Sequence, residues 1–248
     1  MHPAAIPTPR WTTGAILAAA ALFGFAVLTN IATVLNNAYD SGATFYDSTI
    51  FQTIIWRSGL ALKLPRSFGG RSFLHIHLSP INYLPNALSY LMPVDRMTWF
   101  GLTYGILDGL LLLAVFACLY SLFGARVLLT FAGTTLFYCS GLITVGQFEP
   151  HQEYASALFM VGFFVAWALD RWPWAVAMLL LNATVREDCG VLLAFPLFLL
   201  AVCTWWCERR TGVTRATIRL FALALMSALL SVVAIAVKRQ YFHLFDSM

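Results

Sequence analysis

Long apolar stretches separated by short polar ones dominate the chain. No charged residue occurs between Trp11 and Tyr39, and a helix needs about 20 mostly apolar residues to cross a hydrocarbon core about 30 Å thick. We therefore predict a first span over residues 14–35. Its apolar part is longer than that of a typical signal peptide and no clean cleavage site follows, so we expect an uncleaved anchor. About seven spans are predicted in all, over residues 14–35, 98–123, 126–145, 154–169, 173–185, 190–207 and 219–237.

A longer and more polar segment, residues 37–96, lies between the first two predicted spans. Residues 45–58 within it carry apolar side chains at helical spacing, which predicts an amphipathic helix lying in the membrane interface. Residues 82–91 predict a short apolar helix that is bracketed by prolines and cannot span the bilayer. His75 and His77 alternate with apolar residues, so both imidazoles would point to one side of an extended segment.

The composition agrees with this pattern and excludes several classes of protein. Hydrophobic residues make up 60% of the 248 residues and charged residues only 10%, whereas soluble domains carry about 25% charged residues. A water-soluble globule and a disordered chain are therefore excluded. The net charge of +4 is scattered along the chain, so no nucleic-acid partner is expected. Five cysteines without C-x-x-C spacing argue against a disulfide framework or a zinc ribbon. We predict an all-α integral membrane protein with a single transmembrane domain in the lipid bilayer.

The distribution of basic residues predicts the orientation. Short loops on the cytoplasmic side are enriched in arginine and lysine. With the N-terminus in the cytoplasm, the short outer segments hold only Arg186, Lys238 and Arg239, whereas the inner segments hold more. We therefore expect a multi-pass inner-membrane protein with a cytoplasmic N-terminus. The inner set is Arg10, Arg126, Arg171, Arg209, Arg210, Arg215 and Arg219.

This orientation gathers acids and histidines on the outer face. One explanation is that acids avoid the positively charged inner loops. The other is a polar site at the outer membrane surface, where partly buried ionisable groups are costly and therefore usually functional. The sequence leaves both open. The residues concerned are Asp40, Asp47, His75, His77, Glu149, His151, Glu153, Glu187 and Asp188.

Single residues of this set also have two interpretations. Asp47 can cap the helix that follows it, which its spacing favours, or act as a general base. The charged run 186–188 is either a turn with an internal ion pair or a source of an arginine for phosphate and carboxylates for a cation. Asp108 is the acid that lies inside a predicted span, and the sequence assigns it no role. Walker, G-x-G-x-x-G, H-E-x-x-H and G-x-S-x-G motifs are not present.

Four short elements follow one another between Phe45 and Asp188: YDSTIFQ at 46–52, HLSP at 77–80, PHQE at 150–153 and RED at 186–188. In this order they resemble the D-x-x-IF, HFSP, HPE and KED-like elements of a bacterial multi-pass membrane family of unknown function. That family is grouped with the GT-C membrane glycosyltransferases. Leu78 replaces an aromatic residue, Gln152 stands within the third element and Arg186 replaces lysine.

The resemblance implies a GT-C-like fold and a glycosyltransferase that uses a polyprenyl-phosphate sugar donor at the outer face of the membrane. It matches Asp47 to the acid that GT-C enzymes place near the reacting centre, where it would be the catalytic base. Arg186, with Lys63 or Arg66, would neutralise the leaving phosphate. The remaining polar positions would form a polar site, with or without a divalent metal as cofactor. These are His77, His151, Glu153, Glu187 and Asp188.

Two other functional classes stay open. The same outer residues could bind an ion or solute in a non-enzymatic membrane subunit or a small-solute transporter, although a transporter should carry acids deep in several spans. The chain could also be an inactive truncated paralogue. Most relatives of the resembled family have further spans, and many GT-C enzymes add a soluble C-terminal domain. We therefore expect that the chain is truncated or acts with a partner subunit.

Overall fold

Helices make up nearly all of the chain that the computed structural model describes, which is residues 10–39, 46–59, 62, 72–75, 77–140, 154–209 and 215–245. No β-strand occurs in those ranges, which confirms the predicted all-α class. Two short 3₁₀ turns, Phe73–His75 and Pro80–Asn82, lie between the second and third helices. The helices are α1 (Thr13–Tyr39), α2 (Tyr46–Ile55), α3 (Tyr83–Ser89), α4 (Arg96–Leu122), α5 (Val127–Tyr138), α6 (Tyr154–Ala168), α7 (Trp172–Ala183), α8 (Cys189–Glu208) and α9 (Arg215–Phe245).

Four of these helices are long and apolar enough to cross a membrane. Their spanning segments are Thr13–Asn36, Arg96–Leu122, Cys189–Glu208 and Arg215–Gln240. Helices α5, α6 and α7 are also apolar but have 12, 15 and 12 described residues, fewer than the about 20 that a perpendicular crossing needs. All seven coincide with predicted spans, and the predicted span 126–145 runs on into residues outside the description. The chain is thus a helical membrane protein with several crossings.

Helices α1 and α4 pack closely because α4 presents a row of glycines. Gly101, Gly105 and Gly109 are four residues apart, so they share one face of the helix. A Cβ added to Gly101 would lie 2.8 Å from the Cα of Ile31, and one added to Gly105 would lie 2.8 Å from the Cα of Val27. Small residues at this spacing let two membrane helices approach through van der Waals contact, where the hydrophobic effect gives no drive.

Helices α8 and α9 form a second close pair, antiparallel to each other. The backbone oxygen of Gly190 at the start of α8 accepts a hydrogen bond of 2.8 Å from Ser227 Oγ, and Ser231 Oγ accepts one of 3.1 Å from the amide of Val191. A Cβ on Gly190 would lie only 2.4 Å from the backbone oxygen of Ser227. This contact brings the end of the loop between α7 and α8 against α9.

The described parts of the segment between α1 and α4 pack at one end of the helix bundle. Helix α2 lies within the predicted amphipathic segment, and Phe51 and Ile54 on its apolar face are buried. Trp99 of α4 donates its indole N–H to the backbone oxygen of Ile55 at 3.2 Å, which fixes α2 on α4. The short helix predicted over 82–91 is present as α3.

The alternation of His75 and His77 with apolar residues does not correspond to an extended segment. Residues Phe73–His75 form a 3₁₀ turn, and the amide of His77 donates to the backbone oxygen of Phe73 at 3.1 Å. Phe73 is buried, with its ring centroid 5.6 Å from that of Phe51. Burial of the Phe73 ring against α2 contributes about 2 kcal/mol. This is more than the conformational preference of a short alternating segment contributes, so the burial of Phe73 determines the conformation.

Candidate functional site

A cluster of charged residues joins three segments that are far apart in the sequence. His77 precedes the turn that leads to α3, Glu187 lies between α7 and α8, and Lys238 lies near the end of α9. The distance from His77 Nδ1 to Glu187 Oε1 is 3.4 Å, and the ammonium group of Lys238 donates to the same oxygen. The backbone amide of Leu78 donates to Glu187 Oε2 at 3.0 Å. We call His77, Glu187 and Lys238 the Glu187 cluster.

Backbone contacts hold the loop that carries Glu187. The amide of Ile81 donates to the backbone oxygen of Thr184 at 3.1 Å, which ties the segment after His77 to this loop. Asn182 donates its side-chain amide to the backbone oxygen of Cys189 at 2.8 Å and accepts a hydrogen bond of 2.6 Å from Ser156 Oγ of α6. The loop is therefore fixed at both ends, and Glu187 is positioned by the packing of α6, α7 and α8.

The charge of Glu187 is strongly stabilised. Its side chain is only 12% exposed, and this burial acts to raise its pKa. Hydrogen bonds from His77 and Lys238 act in the opposite direction and prevail, so the pKa of Glu187 falls from 4.5 to about 2. Donors that bond to the charged form of a carboxyl group favour ionisation in this way. Glu187 is thus a carboxylate throughout the neutral range.

Arg186 and Asp188, on either side of Glu187, pair with each other. Arg186 Nε donates to Asp188 Oδ1 at 2.6 Å, and its Nη2 donates to Oδ2. This bidentate pairing lowers the pKa of Asp188 and gives the arginine a fixed orientation. The interpretation of residues 186–188 as a turn with an internal ion pair is therefore confirmed for this pair, while Glu187 makes its contacts outside the turn.

The other predicted site residues are described only in part. Asp47 is the second residue of α2, and its side chain lies outside the description. Lys63, Arg66, His151 and Glu153 also lie outside the described residues. Within the described ranges no group of three or more histidine, cysteine or acidic side chains lies close enough together to hold a metal ion.

Two buried polar atoms lie in the segments singled out by the resemblance. Gln52 in α2 and Ser79 in the HLSP element are 3% and 0% exposed. The Oε1 atom of Gln52 and the Oγ atom of Ser79 have no hydrogen-bond partner among the described residues. Buried polar atoms are almost always hydrogen-bonded, so each exception requires a reason, and one such reason is contact with a ligand.

An apolar groove lies beside the start of the loop that carries Glu187. Its volume is about 290 Å³, and it lies between α3, α4, α6 and α7. Its wall includes Leu181 of α7 and Ile81, and the amide of Ile81 binds the loop at Thr184. Polar side chains are few in the wall, so the groove suits a hydrocarbon chain. Other wall residues are Ile55, Leu88, Tyr104, Leu107 and Leu158.

A second polar contact lies inside the bundle. The side-chain amide of Asn30 on α1 donates to Asp108 Oδ2 on α4 at 2.6 Å, and it also donates to the backbone oxygen of Ala26 at 3.0 Å. Both Asn30 and Asp108 are 2% exposed. Asp108 thus bonds to an amide side chain on the neighbouring helix α1.

Sequence reasoning missed two residues, Lys238 and Asn30. The sequence identified Lys238 only as one of the basic residues in the outer segments, although the acids of the outer face, which are its possible partners, lie on the same side. Asn30 is a strongly polar residue within the first span, as Asp108 is within the second, and polar groups in apolar spans usually pair. In both cases the sequence shows a single polar residue that needs a partner, and this predicts a polar contact with another part of the chain.

Comparison with known proteins shows no relative of the chain. No family model matches it, and no match was found among curated proteins or among solved structures.

Proposed function

We propose that the chain is a GT-C-like glycosyltransferase of the inner membrane, with about seven crossings and its N-terminus in the cytoplasm. It would transfer a sugar from a polyprenyl-phosphate donor to a hydroxyl group at the outer membrane surface. The observation that carries the proposal is the Glu187 cluster lying next to the apolar groove. A lipid-linked sugar phosphate has the matching chemistry, because it joins a charged head group to a long apolar tail.

The loop between α7 and α8 connects the two parts of this site. Ile81 and Leu181 line the groove, while Thr184 binds Ile81 and Glu187 follows in the same loop. A tail in the groove would therefore place its phosphate near the charged residues of the loop. Gln52 and Ser79, each with a buried polar atom lacking a partner among the described residues, offer hydrogen bonds to the sugar.

In the proposed mechanism Asp47 removes a proton from the acceptor hydroxyl while the oxygen attacks the anomeric carbon. The bond between that carbon and the phosphate oxygen breaks, the configuration inverts, and polyprenyl phosphate leaves. Arg186, with Lys63 or Arg66, neutralises the charge on the leaving phosphate. Arg186 would exchange one carboxylate oxygen of Asp188 for a phosphate oxygen. These steps proceed with or without a divalent cation at the polar site.

Replacing Asp47 by asparagine tests the catalytic base. Asn cannot accept the acceptor's proton, so we expect D47N to lower sugar transfer by at least about 100-fold while the protein still inserts into membranes. The measurement is transfer of a radiolabelled sugar from a polyprenyl-phosphate donor by protein in lipid nanodiscs, with a crude membrane extract as the source of acceptor.

The matched control is D170N. Asp170 is exposed in the turn between α6 and α7 and has a positive φ of 55°, a conformation that asparagine tolerates well. D170N should retain full activity. Retained activity in D47N, or equal loss in both variants, would contradict the assignment of Asp47.

A small-solute transporter is the second candidate, and the observation that bears on it is the buried Asp108 in α4. A carboxyl group deep among membrane helices often marks a path for ions or protons. Reconstituted vesicles would distinguish the two functions. Flux of a solute that D108N abolishes, without any glycosyl product, would favour transport.

A further inference from the structure

One end of the bundle carries exposed arginines that none of the proposed chemistry uses. At this end α7 begins, α8 ends and α9 begins. The hydroxyl of Thr217 on α9 donates to Glu208 Oε2 at the end of α8 at 2.7 Å. The guanidinium of Arg219 lies 5.0 Å from the ring centroid of Trp172, at the start of α7. These contacts bring three helix ends together. We call the exposed residues Arg171, Arg209, Arg215 and Arg219 at this end the arginine belt.

The belt combines positive charge with aromatic rings. The guanidinium of Arg209 lies 3.5 Å from the ring centroid of Trp206, and the Trp206 side chain is 57% exposed. Stacking on an indole ring attracts the cation and restricts its motion. Tryptophan is also the side chain that best tolerates the boundary between head groups and hydrocarbon. Both stacked arginines therefore stand at the level of a membrane surface.

Among the described residues, few acidic side chains lie at the same end of the bundle as these arginines. Glu208 is 7% exposed and hydrogen-bonded to Thr217, and Asp170 is the other acid on these helix ends. Below the belt the surface becomes apolar, with Ile218 and Leu225 of α9 60% and 61% exposed. A ligand for this surface should have an anionic group for the arginines and an apolar chain for the face of α9.

We infer that the arginine belt binds the head groups of anionic phospholipids. Guanidinium groups bind phosphate oxygens through two parallel hydrogen bonds, and each arginine near a membrane surface adds to the attraction for anionic lipid. The acyl chains would lie along the exposed apolar face of α9. This inference does not depend on the proposed glycosyltransferase activity, since the belt and the Glu187 cluster share no residue.

The double variant R209Q/R219Q removes both stacked cations and tests the inference. The control is R239Q, because Arg239 is exposed on the same helix and 20 residues beyond Arg219, which is about 30 Å away and at the other end of the span. The purified protein in a neutral detergent is mixed with equal amounts of phosphatidylglycerol and phosphatidylcholine. The lipid that remains bound is then counted by native mass spectrometry.

We expect the unchanged chain and R239Q to retain phosphatidylglycerol preferentially. Each lost arginine should weaken the apparent affinity for phosphatidylglycerol about fivefold, so the double variant should lose about 25-fold of the preference, and Arg171 and Arg215 account for what remains. Equal retention of both lipids by the unchanged chain would overturn the inference, as would an undiminished preference in the double variant.

Two measurements on the unchanged chain keep the inference testable if the double variant does not fold. Phosphatidylglycerol should raise the melting temperature in detergent, and 0.5 M salt should reduce this shift because it screens exposed charges. Inorganic phosphate at the same concentration should not raise the melting temperature. A shift that is insensitive to salt, or that phosphate alone reproduces, would contradict binding of a lipid head group.

Discussion

At the scale of single residues, Glu187 is the centre of the proposed site. Its two carboxylate oxygens accept hydrogen bonds from Lys238 and from the amide of Leu78, and His77 lies at 3.4 Å. A carboxylate that is 12% exposed is stable only because these partners compensate for lost hydration. Removing one partner therefore disturbs three segments of the chain together.

The low pKa of Glu187 predicts a dependence of stability on pH. Because the pKa is about 2 in the folded protein against an ordinary 4.5, the ionised group contributes its full stability above about pH 4.5. That contribution is lost as the pH falls from there towards 2. We expect E187Q to lower the free energy of unfolding at pH 7 by about 2 kcal/mol, and this difference from the unchanged chain to shrink as the pH falls.

Equilibrium unfolding in mixed micelles between pH 7 and pH 2.5 measures this difference, with D170N as the control for removal of an exposed acid. D170N should follow the unchanged chain at neutral pH. A difference between E187Q and the unchanged chain that stays constant over the whole pH range would contradict the role given to Glu187.

Part of this site was predictable residue by residue. Hydropathy and the distribution of arginines place His77 and Glu187 on one side of the membrane, and these two meet in the structure. Which other side chain completes the cluster depends on how α9 packs on the loop after α7, and no pattern within α9 specifies that. Lys238 was therefore not predicted, and the pairing of Arg186 with Asp188 remained one of two alternatives.

At the scale of helices, close packing depends on glycines whose positions a hydropathy pattern does not explain. Gly105 lies where α4 contacts α1, whereas Gly24 of α1 has no atom within 4 Å of the place that a Cβ would occupy. The pair α1 and α4 therefore offers a matched comparison of two glycine-to-alanine changes.

We expect G105A to destabilise the protein by about 1–3 kcal/mol, because the added methyl group must push the two helices apart. G24A should leave stability unchanged or raise it by up to about 1 kcal/mol, since alanine favours a helix more than glycine does. Unfolding in micelles measures both. Equal effects of the two substitutions would show that the contact at Gly105 does not hold the helices together.

Helix positions were predicted well because a continuous apolar run has no other stable structure in a bilayer. The segment between α1 and α4 was predicted less well. There the amphipathic pattern indicated α2, but the burial of Phe73 decided the conformation around His75, and that burial depends on contacts with α2 and α4. Local periodicity cannot include such contacts.

At the scale of the whole molecule, the two ends of the bundle have different chemistry. One end carries the Glu187 cluster beside the apolar groove, and the other carries the arginine belt. Both the proposed donor and the proposed phospholipid are anions with apolar tails, and they would bind at opposite membrane surfaces. Such sites are expected in a protein that takes a lipid-linked substrate from the bilayer.

The most direct test of the account is to locate a lipid-linked donor on the protein. The probe is a polyprenyl-phosphate sugar with a photoreactive diazirine in its isoprenoid chain, added to the protein in nanodiscs, with unlabelled donor as competitor. We expect competed labelling of groove residues in 81–110 and 155–181, reduced about tenfold or more in R186Q because the phosphate loses the guanidinium group that neutralises its charge. Labelling confined to other surfaces, or undiminished by unlabelled donor, would contradict the proposal that this site binds a sugar donor.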